Sequence, residues 1–444
     1  MRKPDAVGVG IIGLGTVGTG VAKLLQRNAD VIAQRLGFPL RLVRVADLDS
    51  ERDRGISLAG VCFDADAEGL IRDPAVSLVV ELVGGYDAAR RFILAAIEAG
   101  KHVVTANKAL LALHGKEIFE AARKRGVDVA FEASVGGGIP ILRSLREGLA
   151  ADRIETLHGI INGTTNYILT EMEREGEAFE TVLARAQTLG YAEADPSFDV
   201  DGIDAAHKLT LLVAMAFGVE LTYKQVSAEG IRSLTSLDLE AAGELGYRIK
   251  LLGVGKLHRD ERGERVEARV HPTLIPSQSL LAKVDGAMNA IAVHGDAVGP
   301  LLFYGAGAGE LPTASAVVAD LMELAREIRR GNAGRVAPLC YLPEALRLLP
   351  LVPLGDLVTR YYLRFTALDR PGVLAKISGL LGENGIGIES VIQKGRAAEG
   401  AGAVPVVITT HPAREAAVRR ALERIDALPE VTARTALLRI EEDL

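Results

Sequence analysis

Tryptophan is absent from this 444-residue chain, aromatic residues amount to 4%, and cysteine is confined to Cys62 and Cys340. Two cysteines exclude a disulfide framework and a cysteine-ligated metal cluster in a chain of this size, and they suit a reducing compartment. An excess of cations is missing too: 51 Lys and Arg stand against 58 Asp and Glu, a net charge of -7, with no basic arm or stripe. Nucleic acid is therefore not expected as a partner. No uninterrupted apolar run reaches membrane-spanning length, and "MRKPDAVGVGIIG" passes from a few polar residues straight into an apolar run. The expectation is a cytoplasmic protein with no membrane partner.

What is present is an Ala/Val/Leu-rich chain, 48% hydrophobic and 25% charged, long enough for several domains. The first third alternates apolar runs with helical patterns: "VGVGII" (7–12), "LRLVRVAD" (40–47), "VSLVVELVGG" (76–85), "KHVVTANK" (101–108) and "VDVAFEAS" (127–134). That alternation predicts βαβ units and a doubly wound α/β nucleotide domain of Rossmann type over residues 1–138. Residues 139–312 change texture, with a helix expected in "IPILRSLREGL" and strands in "YRIKLLGVGKLH" and "VEARVHPTLI", and read as an α+β substrate and dimerisation domain. A helix beginning near Thr313 (313–335) is expected to return to the nucleotide domain. Residues 336–358 carry four prolines and no clean period, as a linker does. Over 359–444 the order strand, helix, strand, strand, helix, strand predicts a ferredoxin-like βαββαβ module.

"GLGTVG", from Gly13 through Gly15, Thr16 and Val17 to Gly18, follows a strand and opens a helix, the setting in which GxGxxG binds a dinucleotide. Asp47 closes the second strand, where an acid accepts the ribose hydroxyl of NAD, yet Arg44, Arg52 and Arg54 surround it and suit the 2'-phosphate of NADP; both cofactors stay open. "VELVGG", with Gly84, and "TANKALL", with Thr105 and Lys108, close later strands, where ligands sit in open α/β sheets. Lys108 is placed to touch cofactor or substrate, or is a solvated helix-opening lysine.

"GYAEADPSFDVDGIDAAHKLTLL" gathers Glu193, Asp195, Asp199, Asp201 and Asp204 before one lysine, Lys208, on an apolar helix. Asp204 precedes Lys208 by four residues on one helical face. The spacing is compatible with an exposed ion pair and equally with a partly desolvated lysine, which gives up its proton more readily. A calcium loop fails, because in "DVDGID" the glycine is fourth and the twelfth position is Thr210. Zinc-ligand spacing is missing as well.

Taken in order, "GLGTVG", "ELVGG", "HVVTANKALL", "FEASVGGGIPI", "INGTTNYIL", "GYAEADPSFDVDGIDAAHKL" and "GAGAGELPTASAVV" resemble homoserine dehydrogenase over residues 7 to about 330. "LDRPGVLAKISGLLGENGIGI" resembles an ACT domain, an amino-acid-sensing appendage. The resemblance implies reversible NAD- or NADP-dependent reduction of L-aspartate 4-semialdehyde to L-homoserine, on the route to threonine, isoleucine and methionine. It implies Glu193 and Asp204 as contacts of the substrate's amino acid end, Lys208 as proton donor and substrate ligand, Lys108 beside nicotinamide and substrate, and Asp199 as a supporting acid. Asp195 and Asp201 are left as capping or solvated loop acids. Gly190 and Gly309 match further cofactor-side glycines. A monovalent cation, sodium, would sit on Glu132, Val135, Gly137 and Ile139. The resemblance further implies a homodimer or homotetramer, no fused kinase segment, and L-threonine as an effector of an ACT domain that is dispensable for chemistry. Two rival readings are an ACT-bearing 2-hydroxy-acid dehydrogenase, which places a catalytic His with Arg and Glu where this chain offers lysines and acids, and a silent NAD-binding sensor, against which Lys208 and Glu193 speak.

Overall fold

The computed structural model describes residues 6–261, 263–393 and 402–444. The polar opening at Met1 to Asp5 and the end of the run "ESVIQKG" at Lys394 and Gly395 lie outside them. Strand β1 (Val7–Ile12) is buried along its whole length, as a parallel strand covered on both faces requires. It is followed by α1 (Thr16–Arg27), α2 (Ala29–Leu36), β2 (Leu40–Ala46), β3 (Cys62–Asp64), α3 (Ala67–Arg72), β4 (Leu78–Glu81), α4 (Asp87–Glu98), β5 (His102–Thr105), α5 (Lys108–Arg125) and β6 (Val129–Ala130). The six strands form one parallel sheet in the order β3-β2-β1-β4-β5-β6. The order reverses between β1 and β4, and the crevice beyond their carboxyl ends is where such sheets bind ligands.

The strand expected over 127–134 is cut to Val129–Ala130, and a 3-10 turn follows at Glu132–Ser134. The cause is a partner distant in sequence: the Glu132 amide donates to Asp320 Oδ2 at 2.8 Å and leaves the ladder. The helix expected across "IPILRSLREGL" is likewise short, α6 (Ile141–Arg143) running into a wider π turn at Ser144–Gly148. Then come β7 (Ile154–Ile160), α7 (Gly163–Glu175), α8 (Phe179–Thr188), α9 (Ser197–Val200), α10 (Ile203–Phe217), β8 (Ser227–Ala228), α11 (Ser236–Glu244), β9 (Tyr247–Asp260), β10 (Gly263–Pro276), β11 (Met288–Gly295), β12 (Gly299–Ala306) and α12 (Glu310–Arg330). The last of these starts three residues ahead of Thr313. The chain ends with β13 (Val358–Leu368), α13 (Val373–Glu383), β14 (Ile388–Gln393), β15 (Ala403–Thr410), β16 (Ala413–Arg414), α14 (Glu415–Asp426) and β17 (Val431–Ile440). None of the described helices is long and apolar enough to cross a membrane.

These elements divide into two compact units. The first holds residues 1–157, 207–225 and 289–349. Its core joins Val7, Val9 and Ile11 of β1, Val21 and Leu25 of α1, and Val317, Leu321 and Leu324 of α12, so the long helix α12 is packed on the nucleotide sheet's own helix layer.

The second holds residues 158–206, 226–288 and 350–444. Strands β9 and β10 pair antiparallel from Gly263 opposite Asp260 to Pro276 opposite Tyr247. Strand β17 joins β10 in parallel through Thr273 with Arg439 and Leu274 with Ile440, and the order continues β17-β13-β15-β14. With α13 and α14 this last part is a ferredoxin-like βαββαβ module around Tyr361, Leu363, Phe365, Ile377, Leu381, Ile408, Val418 and Ile425.

Buried charge ties that module to the rest of its unit. Asp238, fully buried, closes a capping box at the start of α11 and accepts from Arg364 Nε at 2.6 Å and Tyr362 Oη at 3.0 Å. Arg439, 1% exposed, donates to the fully buried Glu415 at 2.6 Å and to Glu229 at 2.9 Å. Arg269 donates to Glu441 at 2.8 Å. Cutting the chain near Val358 would leave Asp238, Glu229 and Arg269 without these partners, so the contacts do not favour the expectation that 359–444 can be removed cleanly. Arg439→Met keeps the stem's bulk and removes the guanidinium from between two carboxylates. It is expected to cost about 3–5 kcal/mol, the scale for a buried pair broken on one side, read as a lowered urea midpoint; an unchanged midpoint would show that the network carries no stability.

Candidate functional site

In the first unit the chain leaves β1 through Gly13, whose φ of +94° and whose approach to the Leu82 backbone, 2.8 Å from any Cβ placed there, admit only glycine. Gly18 lies directly beneath, where a Cβ would stand 2.1 Å from Gly13 O. In front of Gly15 nothing lies within 4 Å of a projected Cβ. Helix α1, opening at the exposed Thr16 and half-buried Val17, has neither a side-chain cap nor an acid in its first turn. Its leading amides and the positive end of its dipole thus face an open cradle that fits a pyrophosphate.

Asp47, just beyond β2, accepts Leu14 N at 2.5 Å on Oδ2, and Asp49 N at 2.9 Å and Arg54 Nη2 at 3.2 Å on Oδ1. Arg54, its side chain 5% exposed, also gives Nε to Leu14 O at 2.8 Å. The ribose-seeking acid and the phosphate-seeking cation of the sequence reading are one ion pair folded against the glycine loop. Arg44 is turned to Asp64 at 2.7 Å instead.

Beyond β4, Gly84 is exposed. Thr105 is fully buried; its hydroxyl donates to Glu81 Oε2 at 2.7 Å and accepts Asn107 N at 3.0 Å, and burial raises the Glu81 carboxyl above its ordinary range. Asn107 caps α5 by accepting Leu110 N at 3.1 Å and gives its amide to Gly85 O at 2.7 Å. The half-buried Lys108 is thereby fixed as the first residue of α5. Gly309 precedes α12, and its neighbour Glu310 pairs with Lys23 of α1 at 2.8 Å.

The loop from Glu132 to Ile139 also belongs to this unit. Glu132, Val135, Gly137 and Ile139 are all buried. The two Glu132 carboxylate oxygens accept Leu142 N at 2.9 Å and Arg143 N at 2.7 Å. Burial and the neighbouring Asp320 push the Glu132 carboxyl up to about 7.

In the second unit one amide organises the acids. Asn162 Nδ2 donates to Asp199 Oδ1 at 2.7 Å and to Asp204 Oδ2 at 2.9 Å. Thr164 Oγ1 lies 3.1 Å from Asp199 Oδ2, and Asn162 Oδ1 caps α7 by accepting Thr165 N at 2.8 Å. Asp204 is 4% exposed. Glu193 is exposed on the loop after α8, its carbonyl accepting Gln187 Nε2 at 3.0 Å, and Gly190 is exposed at the start of that loop. Asp195 caps Ser197 N at 3.1 Å and Asp201 pairs with Arg232 at 2.5 Å, so these two acids serve the loop. Asn162 and Thr164 escaped residue-level assignment although "INGTTN" was conspicuous, because an amide shows no charge pattern in sequence.

Lys208 stands one turn after Asp204 on α10 and is half-buried, among the buried Ala205, Ala206, Leu209 and Leu212. Four residues of helix separate the two by about 6 Å along the axis. One face of one helix therefore carries a carboxylate and, a turn later, an ammonium.

The chain matches the family model of homoserine dehydrogenase over residues 140–322, that of the homoserine dehydrogenase NAD-binding domain over 13–132, and that of the ACT domain over 361–427. A homoserine dehydrogenase of Pseudomonas aeruginosa is 51% identical over 437 residues, covering 98% of this chain and 99% of that protein. The chain belongs to the homoserine dehydrogenase family. A homoserine dehydrogenase of Neisseria gonorrhoeae is 48% identical across 98% of both chains. The crystal structure of a homoserine dehydrogenase from Thiobacillus denitrificans superposes with a TM-score of 0.91 at 49% identity, covering 98% of each chain. A hyperthermophilic archaeal homoserine dehydrogenase in complex with NADPH, 25% identical, covers 72% of this chain and 97% of its own, with a TM-score of 0.60. As a homoserine dehydrogenase the chain is an NAD(P)-dependent oxidoreductase that interconverts L-aspartate 4-semialdehyde and L-homoserine in amino-acid biosynthesis, and it carries a C-terminal ACT domain.

Behind the acids lies a buried lysine. Lys250 of β9, 1% exposed, donates to Val284 O at 2.6 Å and lies 3.2 Å from Asn166 Oδ1, on the helix that Asn162 caps. Burial lowers it to about 8. Between about 8 and the ordinary lysine value the unfolded chain holds a proton that the folded chain has released, so this group's contribution to stability rises with pH across that window. The urea midpoint of the parent, measured relative to Lys250→Met, is accordingly expected to increase from pH 7.5 to pH 9.5; a constant difference would mean that Lys250 titrates as an ordinary lysine.

Proposed function

We propose that this homoserine dehydrogenase holds its substrate's ammonium on Glu193 and Asp204 and moves the proton through Lys208. The observation that carries the reading is the one-turn spacing of Asp204 and Lys208 on α10, with Asp204 anchored by Asn162. A carboxylate attracts the substrate's ammonium by a charge-assisted hydrogen bond. The bound nicotinamide supplies or accepts the hydride. As negative charge develops on the aldehyde oxygen, the Lys208 ammonium stabilises it and then donates a proton to that oxygen; in homoserine oxidation Lys208 takes the hydroxyl proton back. Lys108, at the positive start of α5, adds a second cation beside the reacting carbonyl, and Asp199, held by Asn162 and Thr164, supports the lysines.

The glycine loop Gly13, Gly15 and Gly18, with the amides of Thr16 and Val17, would hold the pyrophosphate, and Gly84, Gly190 and Gly309 would line the cofactor's path. The paired Asp47 and Arg54 bring one charge of each sign to the ribose position, which supports acceptance of both NAD and NADP. The NADPH complex of the archaeal relative supports the latter. A sodium ion would sit on the loop of Glu132, Val135, Gly137 and Ile139. Since both Glu132 carboxylate oxygens already accept backbone amides, carbonyl oxygens are the donors that suit it. L-Threonine would act at the ACT domain, where α13 follows Gly372 without a side-chain cap and Asn384 to Ile386 close its far end. The active form would be a homodimer or homotetramer in the cytoplasm.

Lys208→Ala is expected to lower kcat by ~10² or more with the nicotinamide Kd nearly unchanged; wild-type turnover would remove the proton-donor role. Asp47→Ser leaves a hydroxyl for Leu14 N and releases Arg54 from its carboxylate. The ratio of kcat/KM for NADP over NAD is expected to rise about tenfold, ~1.4 kcal/mol, and an unchanged ratio would place Asp47 away from the 2' position.

A further inference from the structure

Helix α10 carries Lys208, and its C-terminal end is held by the stretch of chain that leads on to the ACT domain. Three successive carbonyls there find partners on one strap. Ala216 O accepts Tyr341 Oη at 3.4 Å, Phe217 O accepts Arg347 Nη2 at 2.9 Å, and Gly218 O accepts Arg347 N at 3.0 Å. Arg347 O in turn accepts Glu220 N at 2.9 Å, and Glu344 of the same strap pairs with Arg123 of α5 at 2.6 Å. Gly218, at φ +63°, lets the Tyr341 ring lie on the helix end, where a Cβ would stand 2.9 Å from it. The strap, α5 and α10 line an open, largely apolar groove of about 440 Å³, with Leu111, Phe119, Leu211, Ala214, Leu339 and Tyr341 on its walls. The two helices it spans are those that carry Lys108 and Lys208.

Most of α10 is surfaced by Ala, Leu, Val and Met, all buried. Close packing of these side chains seats the helix laterally. Asn162 holds Asp204 near its start, and the bonds to Phe217 O and Gly218 O hold its far end, where a guanidinium adds favourable interaction with the dipole. Lys208 lies nine residues back from Phe217, about 13 Å along the same rod, so a shift at the end is a shift at the ammonium.

We infer that Arg347 is a positioning residue for Lys208, holding the lysine's helix in register through the carbonyls of Phe217 and Gly218. This inference rests on the proton-donor reading of Lys208. The test measures single-turnover hydride transfer from L-homoserine, and separately the nicotinamide Kd and thermal midpoint, in the full chain and in Arg347→Met, Arg347→Lys, Tyr341→Phe and Lys208→Ala. Arg347→Met is expected to slow hydride transfer about 10- to 100-fold, the scale for a catalytic group displaced by about an ångström, with nicotinamide Kd within twofold of the parent. Arg347→Lys, which keeps a donor for Phe217 O, is expected to recover most of that loss, and Tyr341→Phe to have a smaller effect. An inactive Lys208→Ala beside an Arg347→Met of parental rate overturns the inference and leaves the donor assignment standing. A fully active Lys208→Ala overturns both. Equal loss of rate, cofactor binding and thermal midpoint in Arg347→Met, with no recovery in Arg347→Lys, reduces Arg347 to general stability and also overturns the inference.

Discussion

Two neighbouring carboxylates repel each other, and the bond that holds them side by side is the Asn162 amide. Its two hydrogens go to two different acids, Asp199 at 2.7 Å and Asp204 at 2.9 Å. An amide carries no charge of its own, so it joins the two acids without placing a cation between them. A lysine or arginine in the same place would have cancelled one of them. The same residue's oxygen caps α7, so the position of the amide is set by a helix end and not by a mobile side chain. Loop, helix start and acids are thereby one construction.

Elsewhere in the second unit charge does a structural task. Asp238 is matched by Arg364 and Arg439 by Glu229 between the ACT module and the rest of the unit, while the buried Glu415 holds Arg439 from within the module. Such pairs add little net stability compared with apolar packing, yet they punish any displacement that separates them. The seam between catalytic sheet and ACT module therefore has one favoured register. An effector-driven change in the module would have to move the sheet with it or break buried pairs.

The alternating sequence pattern made the parallel sheet and its glycine loop legible, because period and punctuation are local properties: "VGVGII" runs straight into "GLGTVG", and β1 and α1 lie there. The βαββαβ order of the last module was readable on the same ground. Less legible were features that depend on partners distant in sequence. "VDVAFEAS" looks like a strand until Asp320, nearly two hundred residues later, captures the Glu132 amide. Asp47 and Arg54 suggested opposite cofactors because sequence could not show that they are one pair. Thr105 stood out beside a strand end, but its hydroxyl is spent on Glu81 inside the fold. The proline-rich stretch after α12 read as a linker for want of periodicity, and its hydrogen bonds to α10 left no trace in composition.

The division into compact units falls between Ala206 and His207, inside α10 and between Asp204 and Lys208. A helix is the stiffest connection a chain can make, its backbone hydrogen bonds fixing the rise per residue. The carboxylate of Asp204 and the ammonium of Lys208 therefore keep their one-turn spacing. Where a positioned group stabilises charge that develops on a reacting oxygen, small errors of placement are costly. On the roles proposed for Asp204 and Lys208, a single helix carries both the substrate's anchor and the proton donor, and their placement depends chiefly on what holds that helix's ends.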